Sequence, residues 1–157
     1  MKKFLSKKRI ERYSRQIILK DIGILGQEKI IKTKVLIIGI GGLGSPVADS
    51  LARCGVGYIG AIDHDKVHIS NLQRQILYTS KDIGKFKVDI FKRRIKLINN
   101  DVKVKIFKEK ASENNLNKII KNYDIIVDGT DNFKAKFLIN KFSLKYKKKL
   151  IVGAISK

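Results

Sequence analysis

The sequence predicts an α/β fold: a Rossmann-like, open, mostly parallel sheet with helices on both faces and an N-terminal helical extension. Three observations predict it. Short apolar runs alternate with longer segments of helical period, the pattern of βαβ units. The first strong run, Val35-Leu36-Ile37-Ile38, passes directly into the glycine-rich stretch Gly39-Ile40-Gly41-Gly42-Leu43-Gly44. A helix-opening pair, Ser45-Pro46, follows at once.

The elements read in order as follows. Before Val35, the period suggests two helices, roughly 7–19 and 26–31. Val35 to Ile38 has the continuous apolar character of a strand buried on both faces. A helix then runs to about Cys54, with Ser45 as N-cap and Pro46 at its first position, and Gly55-Val56-Gly57 ends it. Tyr58 to Ile62 forms the second strand and closes on Asp63. Residues 64–84 lack a clean period and read as a long loop with short helical turns. Over 86–98, Val88, Phe91, Ile95 and Ile98 share one helical face. Val102, Val104 and Ile106 alternate with lysines, as in a half-exposed strand. A short helix at about 113–121, a buried strand at 124–128, a helix at 132–146 and a last strand at 150–153 complete the order.

Composition narrows the class. The chain has 157 residues and is 43% hydrophobic, enough for one domain with a real core. No apolar run approaches the ~20 residues of a membrane helix. The N-terminal residues lack the apolar stretch of a secretory signal. One cysteine, Cys54, leaves no internal disulfide framework and no four-cysteine zinc site within the sequence. It is expected to be a small core residue of its helix, and the cytoplasm is the expected compartment. The net charge of +21 invites a nucleic-acid reading. However, 28 of the 35 basic residues are Lys and only seven are Arg, while Ile occurs 26 times and Pro once. That is the signature of A/T-rich codons, and the lysines are spread along the chain. Specific nucleic-acid binding is therefore disfavoured.

The glycines carry the first functional signal. G-x-G-x-x-G between a strand and a helix is built for a nucleotide. Gly39 permits the tight turn and Gly41, followed by Gly42, lets backbone approach a phosphate. Gly44 allows close helix–strand packing, and the helix N-terminus supplies N–H groups. Asp63 lies 19 residues after Gly44, where a ribose acceptor belongs. The loop alone does not separate NAD from ATP. Other residues do: Arg15, Arg74 and Lys87 can bind β/γ-phosphate oxygens, and Asp131 at a strand end can hold Mg²⁺. A nicotinamide pocket requires no such set.

Five stretches carry a resemblance to a known family: RYSRQI at 12–17, VLIIGIGGLGSP at 35–46, AIDHDKVHISNLQRQIL at 61–77, DIGKFK at 82–87 and DGTDN at 128–132. In this order and spacing they resemble the ubiquitin-activating superfamily, in its bacterial ThiF/MoeB/HesA branch, and within it the ThiF type most. The resemblance implies an adenylyltransferase. The C-terminal glycine of a ubiquitin-like sulfur carrier with a Gly-Gly tail (ThiS- or MoaD-like, for thiamine or molybdopterin biosynthesis) attacks the α-phosphate of ATP, and pyrophosphate leaves. It also implies roles. Gly41 lies against the phosphates and Asp63 binds the ribose. Asn71, Arg74 and Lys87 contact the phosphates, and Asp131 holds Mg²⁺. Arg15 reaches the ATP of a partner subunit, which implies a homodimer. Asp65 and Asn132 are secondary candidates that fit a loop or cap role equally well.

Family members continue beyond Gly153-Ala154-Ile155-Ser156-Lys157 with a crossover loop, paired C-x-x-C zinc motifs and, in the ThiF type, a sulfur-transfer cysteine. None lies in this sequence, so zinc and a catalytic cysteine are not assigned. The expectation is a fragment of a longer protein or a shortened gene product. Alternative functions are a catalytically inactive ATP-binding remnant, a basic nucleic-acid-binding protein, and an NAD oxidoreductase resting on the glycine loop alone.

Overall fold

The apolar runs become one five-stranded parallel sheet in the computed structural model, which describes residues 5–154. The outermost parts of the expected extension and C-terminal region, 1–4 and 155–157, lie outside the described residues. The strands are β1 (Lys34–Ile38), β2 (Tyr58–Ile62), β3 (Lys103–Phe107), β4 (Ile125–Asp128) and β5 (Lys149–Val152), in the order β3-β2-β1-β4-β5. The helices are α1 (Lys7–Arg12), α2 (Ser14–Ile17), α3 (Gly23–Lys32), α4 (Gly44–Cys54), α5 (Lys87–Ile98), α6 (Glu113–Ile119) and α7 (Phe133–Lys145). No helix among the described residues is long and apolar enough to cross a membrane.

β1 is central because it is apolar on both sides. Val35 and Ile37 pack with Ala48 and Ala52 of α4 and with Val88, Phe91 and Ile95 of α5. Leu36 and Ile38 pack on the opposite face with Leu116 of α6 and with Ile139 and Phe142 of α7. The alternation of side chains along a strand thus builds two separate cores. The helical face read over 86–98 is the buried face of α5. β3 is an edge strand, and its exposed Lys103 and Lys105 discourage pairing with another chain.

Three local expectations change. The helix read over 7–19 breaks at Tyr13, which leaves helical geometry at φ −104° and ψ 13°. Its ring is buried against Gly55, and its hydroxyl accepts a 2.8 Å hydrogen bond from Asn99 Nδ2. Docking that ring under the end of α4 breaks the continuity of the helix, which resumes at once as α2. Ser45 is not the N-cap: α4 starts at Gly44, two residues before the expected Pro46, and the Ser45 hydroxyl donates to the Ile40 carbonyl at 3.0 Å. Pro46 stays within the first turn, where its missing N–H costs nothing. Cys54 is exposed rather than packed in the core. It lies two residues beyond the buried Ala52, about 200° around the helix, so the amphipathic stripe turns it outward.

The loop before α5 is held by a buried carboxylate. Asp82 accepts from the Thr79 amide at 3.0 Å and the Thr79 hydroxyl at 2.8 Å, and pairs with the Arg93 guanidinium. Burial opposes its charge, but the Thr79 and Arg93 contacts win and hold it below the usual carboxylate range. A group with a depressed folded pKa stabilises the fold above its unfolded pKa of about 3.9, and that contribution fades as pH falls through the folded value. Urea denaturation should therefore show stability falling as the pH drops below about 4, with a shallower fall in Asp82→Asn. Asp82→Ala should cost about 2–3 kcal/mol at neutral pH.

Candidate functional site

The glycine turn between β1 and α4 is built around Ile40, which is fully buried. Its N–H donates to Asp63 Oδ2 at 2.8 Å. Its carbonyl accepts from the Ser45 hydroxyl at 3.0 Å and the Tyr78 hydroxyl at 2.8 Å. Burial first, then the nearby Asp63 charge, pushes the Tyr78 phenol well above its ordinary pKa, so it stays a neutral donor. The second Asp63 oxygen accepts from the Asp65 amide at 2.8 Å.

The glycines then close the turn. Gly39 has φ +84°, and a Cβ there would sit 3.0 Å from the Gly129 carbonyl. A Cβ on Gly44 would lie 2.0 Å from the Gly39 oxygen. The tight-turn and close-packing roles read from the sequence are thus the observed ones. Gly41 differs. Its φ is ordinary, and the nearest atom to a Cβ there would be Gln75 Nε2 at 3.7 Å. The space above Gly41 belongs to the cleft.

That cleft has a volume of about 460 Å³ and lies at the carboxyl ends of the strands. It is centred where the strand order reverses between β1 and β4, the ligand crevice of open α/β sheets. The fold brings Gly39, Gly41 and Gly42 to one wall. Asp63 and Asp65 come from the end of β2, and Asn71, Arg74 and Lys87 from the following segment and the start of α5. Asp131 and Asn132 come from the end of β4. Gly44 lies beneath this wall rather than in it.

Lys87 is the most constrained cation. Its side chain is 6% exposed, and Nζ lies 3.0 Å from Asp65 Oδ2. Asp65 also faces His64, with Nε2 at 3.4 Å from its other oxygen. Arg74 is exposed, lies against Gly42 and donates to the Ser70 carbonyl at 3.0 Å. Asn71 and Asn132 are both occupied locally. Asn71 Oδ1 accepts from the His68 amide at 3.1 Å, and Asn132 caps α7 through the Ala135 amide at 2.9 Å. Asp131 is exposed and has no ion-pair partner among the described residues. Asp63, His64 and Asp65 lie close enough to share a cation, but both Asp63 oxygens serve backbone amides and Asp65 serves Lys87.

Sequence reasoning missed several cleft residues: His64, Gln75, Glu109, Lys110, Ala111 and Thr130. Glu109 to Ala111 follow the end of β3. The rule that ligands sit beyond parallel strand ends applied to them as it did to Asp63.

The match to known proteins is extensive. The model of the ThiF family matches residues 13–157. The chain belongs to the ThiF family. A "Sulfur carrier protein adenylyltransferase" of Thermus thermophilus is 38% identical to the ThiF-family chain over 150 residues, covering 96% of the chain and 55% of that protein. A "Probable molybdopterin-synthase adenylyltransferase" of Porphyra purpurea is 47% identical over 144 residues, covering 92% of the chain and 38% of that protein. The chain thus spans about half or less of the length of these relatives. The crystal structure of PaaA superposes with a TM-score of 0.86 at 32% identity, over 98% of this chain and 50% of that one. Escherichia coli MccB, solved with AMPCPP and MccA, gives 0.81 at 30% identity, over 91% and 44%.

Within this ThiF-family chain, Arg15 is not brought to the cleft; it is exposed on α2, away from the lining residues. The glycine geometry separates folding from binding. Gly41→Ala should keep its thermal stability within about 1 kcal/mol of the parent, because its methyl enters the open cleft rather than neighbouring backbone. Gly44→Ala should lose about 3 kcal/mol or more in thermal denaturation, because backbone cannot yield as a side chain can.

Proposed function

We propose that the protein containing this chain adenylates the C-terminal glycine of a ubiquitin-like sulfur-carrier protein at the expense of ATP. The observation that carries this reading is the convergence of the glycine turn, the cations Arg74, Lys87 and Lys110, and the exposed carboxylate of Asp131 on one crevice. The relatives named sulfur carrier protein adenylyltransferase and molybdopterin-synthase adenylyltransferase support it, as does MccB bound to AMPCPP.

In this reading a carboxylate oxygen of the terminal glycine attacks the α-phosphorus. The bond from that phosphorus to the oxygen bridging to the β-phosphate breaks. Carrier acyl-adenylate and pyrophosphate result. The protein's part is to orient the two anions and neutralise their charge. Gly41 and Gly42 bring bare backbone to the phosphates. Asp63 keeps unused lone pairs for the ribose hydroxyls while it holds the turn. Lys87 leaves Asp65 to meet the phosphates, and Arg74 and Asn71 flank them. Mg²⁺ is bound through one or two carboxylates, phosphates and water. The exposed Asp131 at the end of β4, met only by Asn132 Nδ2 at 3.5 Å among the described residues, fits that donor set and would hold the ion, which would supply charge neutralisation on the leaving phosphates.

Arg15, exposed and outside its own cleft, suits a homodimer in which it serves the other subunit's nucleotide. Carriers of thiamine or molybdopterin biosynthesis are the proposed substrates, and the need for ATP supports a cytoplasmic setting.

ATP–pyrophosphate exchange tests the reading. Exchange should require a carrier ending in Gly-Gly and should fall about 10²-fold or more in Lys87→Ala and in Asp131→Ala. Exchange independent of carrier, or none in a folded sample, would overturn it.

A further inference from the structure

The segment 69–78 carries Asn71 and Arg74 to the cleft, yet among the described residues one hydrogen bond joins it to the glycine turn, 39–44. That bond runs from the Tyr78 hydroxyl to the Ile40 carbonyl at 2.8 Å. The segment's other bonds stay within it or go elsewhere. Arg74 N–H and Gln75 N–H donate to the Asn71 carbonyl at 3.2 and 3.0 Å, and Tyr78 N–H donates to the Gln75 carbonyl at 3.1 Å. Arg94 Nε of α5 donates to the Leu77 carbonyl at 3.1 Å. Arg74 stands four residues before Tyr78. Its Cδ and Nε lie 3.4 Å from where a Cβ on Gly42 would stand, but its Nη1 is bonded to Ser70 of its own segment and not to the turn.

The Ile40 carbonyl does not need the Tyr78 hydroxyl to be satisfied. The Ser45 hydroxyl already donates to the same oxygen at 3.0 Å. Removing the Tyr78 hydroxyl therefore leaves no buried acceptor without a partner. The ring packs in the core with Val35, Ile37, Ala48 and Ala52, and that packing does not depend on its oxygen. What the hydroxyl adds is a directed link between the turn and the segment that bears Arg74. Arg74 is exposed, and a cation at the rim acts on a group lying over the turn only when its distance from the turn is fixed.

We propose that Tyr78 is a positioning residue: its hydroxyl, by holding the Ile40 carbonyl, fixes the place of Arg74 over the glycine turn. This rests on the adenylation reading, in which Arg74 meets the phosphates of ATP, and it gives Tyr78 no contact with the nucleotide. A double-mutant cycle on equilibrium ATP binding tests it in the intact protein, with adenosine measured by competition against ATP. Arg74→Ala should weaken ATP about 10- to 100-fold, the worth of a hydrogen bond to a charged group. Tyr78→Phe should weaken ATP about fivefold, leave adenosine within about twofold and melt within about 5 °C of the parent. In the Arg74→Ala background the same change should move ATP affinity by less than about twofold, because residues that act through one another do not add. Ser45→Ala removes a bond to the same carbonyl from outside the Arg74 segment, and its effect should be equal in both backgrounds. An equal loss for Tyr78→Phe in both backgrounds overturns the proposal, and so does unchanged ATP affinity in Tyr78→Phe. Equal weakening of ATP and adenosine, or a much larger fall in melting temperature, also overturns it and marks a role in packing alone. A parent that binds neither ligand, or an Arg74→Ala variant that binds ATP as the parent does, overturns the reading of the cleft itself, and both are seen without any change at Tyr78.

Discussion

The peptide groups of Ile40 are the point on which the site depends. Ile40 lies in the core, so its N–H and its carbonyl must find partners inside the protein. Asp63 from the end of β2, Ser45 from α4 and Tyr78 from the following loop supply them. One residue thereby ties two strand ends, a helix start and a loop together. The glycines on either side can then pass close to neighbouring backbone without freedom to wander. A turn held this way presents its N–H groups before any ligand arrives, which is how fixed dipoles act on a phosphate without a reorganisation cost.

Charge in this chain divides into background and site. Most lysines lie on exposed positions, as on β3, where they also protect a sheet edge. Lys87 is the contrast: buried, and held by Asp65 at the rim of the cleft. Only 14 acidic residues stand against 35 basic ones, yet four of them, Asp63, Asp65, Glu109 and Asp131, line one cleft. The acids report the position of the site better than the lysines do. An acid surviving on so basic a surface is held by geometry, and Asp63 shows that geometry in its two backbone bonds.

Most of the fold was legible because periodicity and burial agree. Val88, Phe91 and Ile95 repeat at helical spacing and are buried together, and β1 is apolar on both faces because helices cover both. Tyr13, Ser45 and Cys54 were misread for different reasons: Tyr13 docks on the distant Gly55 and Asn99, Ser45 bonds Ile40 within its own turn, and Cys54 falls on the outward face of α4. The site was legible where motif residues cluster in sequence, at the glycine turn, 63–74 and 128–132. It was not legible at Glu109 to Ala111, which carry no motif and reach the cleft only through the end of β3.

The sequence by itself determined the order of strands and helices along the chain, the glycine turn and a set of candidate polar residues around it. These follow from local sterics and side-chain period, which act over a few residues. Only the tertiary structure decided which of those residues share a cleft, that Arg15 stands outside it, that Asp63 braces the turn and that Lys87 is held by Asp65. Those outcomes depend on the parallel order β3-β2-β1-β4-β5, which sets residues as far apart as Gly39 and Gly129 in backbone contact. A contact across that separation is selected by packing of the whole sheet, and no local pattern encodes it.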